Sequence, residues 1–400
     1  SAAPEFLKTA PVVLERVTFP QLREWHATGA ELARENAEAG ISYFRMESGR
    51  SSEILDALSS SIELTRVRDI LRMYCRALAG RDVEVQASQQ LVDKNIGWVE
   101  GDKPTTEGTT IFLPGVVNKF TSKTDNFGWY KVLSTHQVGH IEFGSFDFDF
   151  DRPSTMFRDL RPRLPKGRQG SSSEAVAEKQ QGGDKGQEKG GLETAFLTDM
   201  SRFFDLFPEH KLALDIFTVV EDARLDARIF HEYRGMAPAY LSTQRRSLSE
   251  RPRIEELPAR EALLEFMVRL SLGQKKGLVA PKDHIAVARK LRRMVRRVAV
   301  PEATVEDASE ATIRAYALIS EIKNDELDED EFESADDEEE SEDQGDQGTE
   351  ESDEEQIVQQ FLQGMQEGDT GEEQEGEEEQ ESGDDYDSPQ DVDYRGEFKP

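Results

Sequence analysis

The 400-residue sequence is nearly free of cysteine: Cys75 stands alone. One thiol cannot close an internal disulfide, so a reducing compartment, the cytoplasm, is expected. It lies within an apolar helical pattern, which predicts a buried structural thiol and not a nucleophile. No apolar run approaches the roughly 20 residues of a membrane-spanning helix, and no secretory signal is recognisable. An integral membrane segment is therefore not expected.

Basic charge is scarce in one region only. Residues 321–400 hold 36 acidic and 3 basic side chains, while 46 of each sign balance in residues 1–320. The net charge of −33 thus belongs entirely to the tail, behind a neutral body. Phosphate would be repelled by such a tail, so nucleic acid is not an expected partner.

The chemistry-bearing stretch is FGWYKVLSTHQVGHIEFGSFDFDF, residues 127–150. His136 and His140 are four apart, which stacks them on one face of a helix, close enough to chelate one ion. The pattern predicts a helix over Tyr130–Ile141. Val132, Leu133, Val138 and Ile141 give it an apolar side, no proline interrupts it, and Gly144 suits a stop. The spacing is nearly the H-E-x-x-H zinc-peptidase signature. Gln137 stands where that motif has the glutamate that takes a proton from metal-bound water. An amide cannot do this. Three explanations stay open: a natural non-peptidase, an engineered Glu→Gln exchange, or Glu142 as a substitute base. A helix with two polar histidines and no metal is the plain alternative, because the pair alone is a weak form of the motif.

A second helix is expected within Phe203–Tyr233, with Pro208 and Glu209 near its start. Leu212, Ile216, Val219, Ala223 and Phe230 form its apolar stripe. Glu221 and Asp222 fall beside that stripe, where a carboxylate is costly unless paired or ligated. Two readings of Glu221 carry equal weight. One is an intrahelical ion pair with Arg224 or Arg228. The other is the third ligand of a His136–His140–Glu221 zinc site, with one position left for water.

Other helices are expected at 21–39 (capped by Gly40), 52–64, 67–78 (ending at Gly80), 259–272, 283–298 with a basic face, and 304–323. Asp82–Gln86 and Thr109–Leu113 read as strands of a small sheet just before the histidine helix. The aspartates of SFDFDFD do not fit a calcium loop, since Arg152 stands at the obligatory glycine. A solvated strand or loop edge with its phenylalanines inward is expected there.

The fold class expected is mainly α with a small β-sheet (α+β): a zincin-like helical core and a disordered acidic C-terminal tail. One domain is expected from 1–164 and 192–323, interrupted by a disordered insertion at 165–191. An acidic linker is expected at 324–393, and the opening of a following domain at 394–400. Within the linker, Ile357, Phe361, Leu362 and Met365 of EQIVQQFLQGMQ, residues 355–366, predict a recognition helix. The basic helix 283–298 is its expected partner.

Several stretches in order resemble the NorD-like and CbbO-like von Willebrand A proteins that partner MoxR-type AAA+ ATPases. They are TTEGTTIFLP, NFGWYKVLSTHQVGHIEFGSF, LFPEHKLALDIFTVVEDARLDAR, the acidic linker and DYRGEFKP. The resemblance covers most of residues 100–235 and the end. The D-x-S-x-S of the von Willebrand A domain is missing, so nothing of that domain carries over. The resemblance implies a metallopeptidase-like adaptor or regulator acting on a client protein beside such an ATPase, with a native Gln137. A zinc endopeptidase of the gluzincin type with Gln in place of Glu is the alternative, and a metal-free helical scaffold the second one.

Overall fold

A computed structural model describes residues 2–14, 16–90, 103–164, 198–336, 357–361, 363, 386–396 and 398. The chain is mainly α with small sheets, as expected. It divides into two compact units, Ser1–Val138 with Asp393–Glu397, and Gly139–Val392 with Phe398–Pro400. The division falls inside the histidine helix.

The first unit begins with α1 (Ala3–Leu14), α2 (Phe19–Glu35), α3 (Ala37–Phe44) and α4 (Gly49–Leu58). The helix expected over 21–39 is broken at Asn36. That side chain accepts hydrogen bonds from the Glu38 and Ala39 N–H groups and so caps a new helix. Gly40 is then no terminal cap. It lies within α3, where an added Cβ would sit 2.3 Å from the Ala33 Cβ, so only glycine lets α2 and α3 meet. Trp25 stacks on Tyr43, and Phe44 meets both edge-on, at ring distances of 5.3–5.6 Å in the small core beneath.

After β1 (Ile62–Glu63), α5 (Leu64–Ala79) ends at Gly80 as expected, and the φ of 62° there makes a left-handed cap. Cys75 is fully buried in α5, and burial pushes its thiol up to about 12, so it is protonated and inert at neutral pH. The expected sheet forms from β2 (Glu84–Ala87), β3 (Thr105–Glu107) and β4 (Thr110–Leu113). β4 is central, parallel to β2 and antiparallel to β3, with Thr106 opposite Ile111. β5 (Val116–Val117) pairs with β1.

α6 (Lys123–Glu142) is the histidine helix. It starts seven residues earlier than its apolar pattern suggests, because Ser122 caps it by accepting the Asp125 N–H. Asn126 anchors it in the first unit. Its Oδ1 accepts from the Lys119 and Phe120 N–H groups, and its Nδ2 donates to the Ser60 carbonyl. Residues Tyr130 to Ile141 are buried on almost every side, not only on one stripe.

The second unit contains α7 (Asp199–Phe204), α8 (His210–Glu232), α9 (Ala237–Ser249), α10 (Ala259–Ser271), α11 (Ile285–Val298) and α12 (Val305–Ile319). α8 packs against α10, α11 and α12. The SFDFDFD segment stays a loop. Only Phe148 of its three phenylalanines is buried, against Phe203 at 5.6 Å, while Phe146 is exposed. The 154–161 loop is held by acids of α12. Asp307 accepts the Thr155 and Met156 N–H groups, each at 2.7 Å, and Glu310 accepts those of Leu160 and Arg161.

Burial would raise the Asp307 carboxyl. Hydrogen bonds from Ser154, the Thr304 and Met156 N–H groups and Thr155 outweigh it and hold the group below its ordinary 3.8. A depressed folded value means the unfolded chain binds the proton more readily. The stabilisation is therefore complete above the unfolded value of about 3.9 and is lost as pH falls through the folded one. Asp307→Asn should be less stable than wild type at pH 7, with the gap narrower at pH 3. Urea unfolding at both pH values checks this; a gap constant with pH would contradict it.

The expected acidic linker is ordered at its start. β6 (Val279–Pro281) pairs with β7 (Phe332–Ser334), and Phe332 and Ala335 are buried. These two apolar side chains are joined by hydrogen bonds from the Gly277 and Leu278 N–H groups to Asp336 and from the Ala335 N–H to the Leu278 carbonyl. Residues 357–361 are helical, with Val358 buried and Phe361 5.5 Å from the ring of Tyr316 on α12. Among the described residues, the ring contact of this segment is thus with α12. Leu362, Met365 and the insertion 165–191 lie outside the described residues. Of the last residues described, Tyr394–Gly396 belong to the first unit and Phe398 to the second.

Candidate metal centre

The helical period of α6 puts His136 and His140 one turn apart, and both are buried. A third residue, Asp222 on α8, joins them: one ligand atom from each of the three lies within 4.8 Å of the others. The group could hold a metal ion. Its carboxylate is the neighbour of the one expected. Consecutive helical residues are turned by about 100°, so Glu221 and Asp222 cannot serve the same point.

Glu221 takes the other reading. Arg224 binds it through two nitrogens, Nε to Oε2 at 2.8 Å and Nη2 to Oε1 at 2.6 Å. Arg228 instead donates to the Pro301 carbonyl. Glu221 still bears on the site at one remove. Ser145 donates its proton to Glu221 Oε1, and its Oγ lies 3.0 Å from His140 Nδ1. With the hydroxyl proton committed to the carboxylate, Ser145 can only accept from His140. That fixes the proton on Nδ1 and leaves the Nε2 lone pair for a ligand bond. Arg224 Nη2 also donates to the Phe143 carbonyl, pinning the turn after α6.

Gln137 is buried with both ends of its amide engaged. Thr106 Oγ1 donates to Oε1 at 2.7 Å, and Nε2 donates to the Arg395 carbonyl at 2.5 Å. Glu142 is given to another partner. It is two residues past His140, so about 200° around the helix, and Tyr233 Oη donates to it. Burial raises the Glu142 carboxyl above its ordinary range, against the pull of that hydrogen bond. Tyr394 lies edge-on to His136 with ring centres 5.7 Å apart, and Phe398 lies 5.4 Å from His140.

The sequence pattern paired the two histidines and proposed Glu221 beside them; the structure sets Asp222 within reach of the pair. One signal was present: Arg224, three residues after Glu221, could claim that carboxylate and leave its neighbour. The chain was compared with protein-family models, curated proteins and solved structures, and nothing matches.

Proposed function

We propose that this chain is a metal-binding, metallopeptidase-like adaptor or regulatory domain that works with a MoxR-type AAA+ ATPase on a client protein, and that its metal is zinc. The observation that carries the metal is the buried His136–His140–Asp222 group. Two imidazoles and a carboxylate suit Zn²⁺ and leave a fourth position open. His140 has a hydrogen-bonded orienting partner, Ser145, as metal-binding histidines usually do. Bound there, the ion would supply a Lewis acid.

What argues for a regulator over a peptidase is Gln137. Its amide is matched to its surroundings: a hydroxyl that donates to its oxygen and a carbonyl that accepts from its nitrogen. A glutamate would set a carboxylate oxygen against the Arg395 carbonyl. The ATPase partner rests on the sequence resemblance, and no helix of the described residues is long and apolar enough to cross a membrane.

The test has two arms. The purified full chain should carry about one zinc and cleave no member of a broad peptide library, and Gln137→Glu should gain no zinc-dependent cleavage. Metal-dependent cleavage by Gln137→Glu would favour the endopeptidase. The chain should also change the ATP hydrolysis rate of a MoxR-type ATPase from the same source. No change, with no complex on gel filtration, would remove that partner.

A further inference from the structure

We propose that the face of α6 carrying His136 and Gln137 is a peptide-binding site for a short, turn-forming segment with an acidic residue, a tyrosine and a glycine. Residues Asp393–Gly396 of this chain are its occupant. The inference goes beyond the metal reading and does not depend on it, because none of the contacts below passes through an ion.

Four consecutive residues are each held by a different kind of contact. Lys119 pairs with the Asp393 carboxylate. Tyr394 is fully buried with its ring edge-on to the His136 imidazole. The Arg395 carbonyl accepts from Gln137 Nε2, and Arg395 Nε donates to Tyr394 Oη at 3.0 Å, closing the turn. Gly396 has a φ of 74°, and a Cβ there would lie 1.9 Å from the Pro104 carbonyl oxygen. The backbone approaches so closely that glycine is obligatory. Gln137 and Arg395 are 258 residues apart in sequence, so the segment meets the helix much as a second polypeptide would.

The amide at 137 is the recognition element. The Arg395 carbonyl can only accept, so Nε2 must face it; Thr106 Oγ1 then donates to Oε1 and locks that orientation. A carboxylate at 137 would place two acceptors against each other with no proton between them. The residue that cannot act as a base is thus the one suited to binding a peptide carbonyl. A client segment of the same chemistry would enter by displacing Asp393–Gly396.

The experiment uses the full chain and a fluorescein-labelled peptide of sequence DVDYRGEF, residues 391–398. Gly396→Val should expel the internal segment and leave α6 intact. Hydrogen exchange of residues 391–396 should then quicken, and the labelled peptide should bind, while wild type binds it at least about tenfold more weakly because its own segment competes. Adding Gln137→Glu to Gly396→Val should cost about tenfold or more in peptide affinity. The same peptide with alanine for its tyrosine should bind comparably poorly. Asp393→Arg breaks the exposed Lys119 pair without touching the interior, and it should also quicken exchange of the segment. Peptide binding that is absent in both Gly396→Val and Asp393→Arg would overturn the proposal. So would affinity unchanged by Gln137→Glu, or equal binding by wild type and Gly396→Val.

Discussion

Exchanging His136 for alanine should empty the metal centre. The group offers three protein ligands, and His136 supplies one of the two imidazoles. A site reduced to His140 and Asp222 resembles the adventitious sites of many surfaces, so bound zinc should fall below about a tenth of an equivalent after desalting. Stability should fall with it, for two separable reasons. The proposed zinc would bind the folded chain preferentially, which would contribute about 2.7 kcal/mol when zinc stands at a hundred times its dissociation constant. The imidazole is also fully buried against Tyr394, so truncation leaves a void. A chelator separates the two. It should lower the wild-type melting temperature and leave that of His136→Ala unchanged. A zinc-loaded His136→Ala chain, or a wild type indifferent to chelator and devoid of zinc, would reject the centre. Glu221→Gln is the informative companion. It weakens the Ser145–His140 support without removing a ligand, so affinity should drop about 10–100-fold instead of vanishing.

The largest loss of stability should come from Glu310→Ala, far from the histidines in sequence. Glu310 is fully buried on α12 and gathers four donors: the Leu160 and Arg161 N–H groups, Arg161 Nε at 3.0 Å and Arg314 Nη1 at 2.7 Å. Arg161 and Arg314 are themselves buried. Removing the acid takes the buried carboxylate from two guanidinium groups, leaving Arg161 with Asp159 and carbonyl oxygens and Arg314 with carbonyl oxygens alone, and it strands two peptide N–H groups away from water. Breaking a buried pair from one side costs about 3–5 kcal/mol. Against the roughly 5–15 kcal/mol that holds a typical domain folded, that is a large share. Glu256→Ala breaks an exposed pair with Arg253 and should cost under about 1 kcal/mol. Urea unfolding followed by circular dichroism compares the two. If both variants unfold at the same urea concentration, the acid–arginine cluster does not hold the second unit together.

Much of the helical chain was legible because local rules act within a few residues. The i, i+4 spacing of His136 and His140, the left-handed cap at Gly80 and the β-rich TIFL run each depend on neighbours only. The same is true of the missing acid at Gln137, which reads directly from the motif. The break at Asn36 was equally local but was overridden in the reading by the longer apolar pattern. Asparagine is a strong N-cap and a weak interior helix residue, and here its side chain accepts from the Glu38 and Ala39 N–H groups.

The tertiary structure decided what periodicity cannot encode. A helical pattern says which residues share a face but not what that face meets. Glu221 and Asp222 are adjacent acids on one buried helix, and the positions of Arg224, Ser145 and the histidines determined which of them joins the pair. Phe332 drew part of an acidic run into a strand because β6 offered an unpaired edge, and an edge exists only once the chain has folded. The contact of Arg395 with Gln137 joins residues 258 apart in the sequence. Its partners are set by packing, since a buried carbonyl must find a donor wherever the fold brings one within reach.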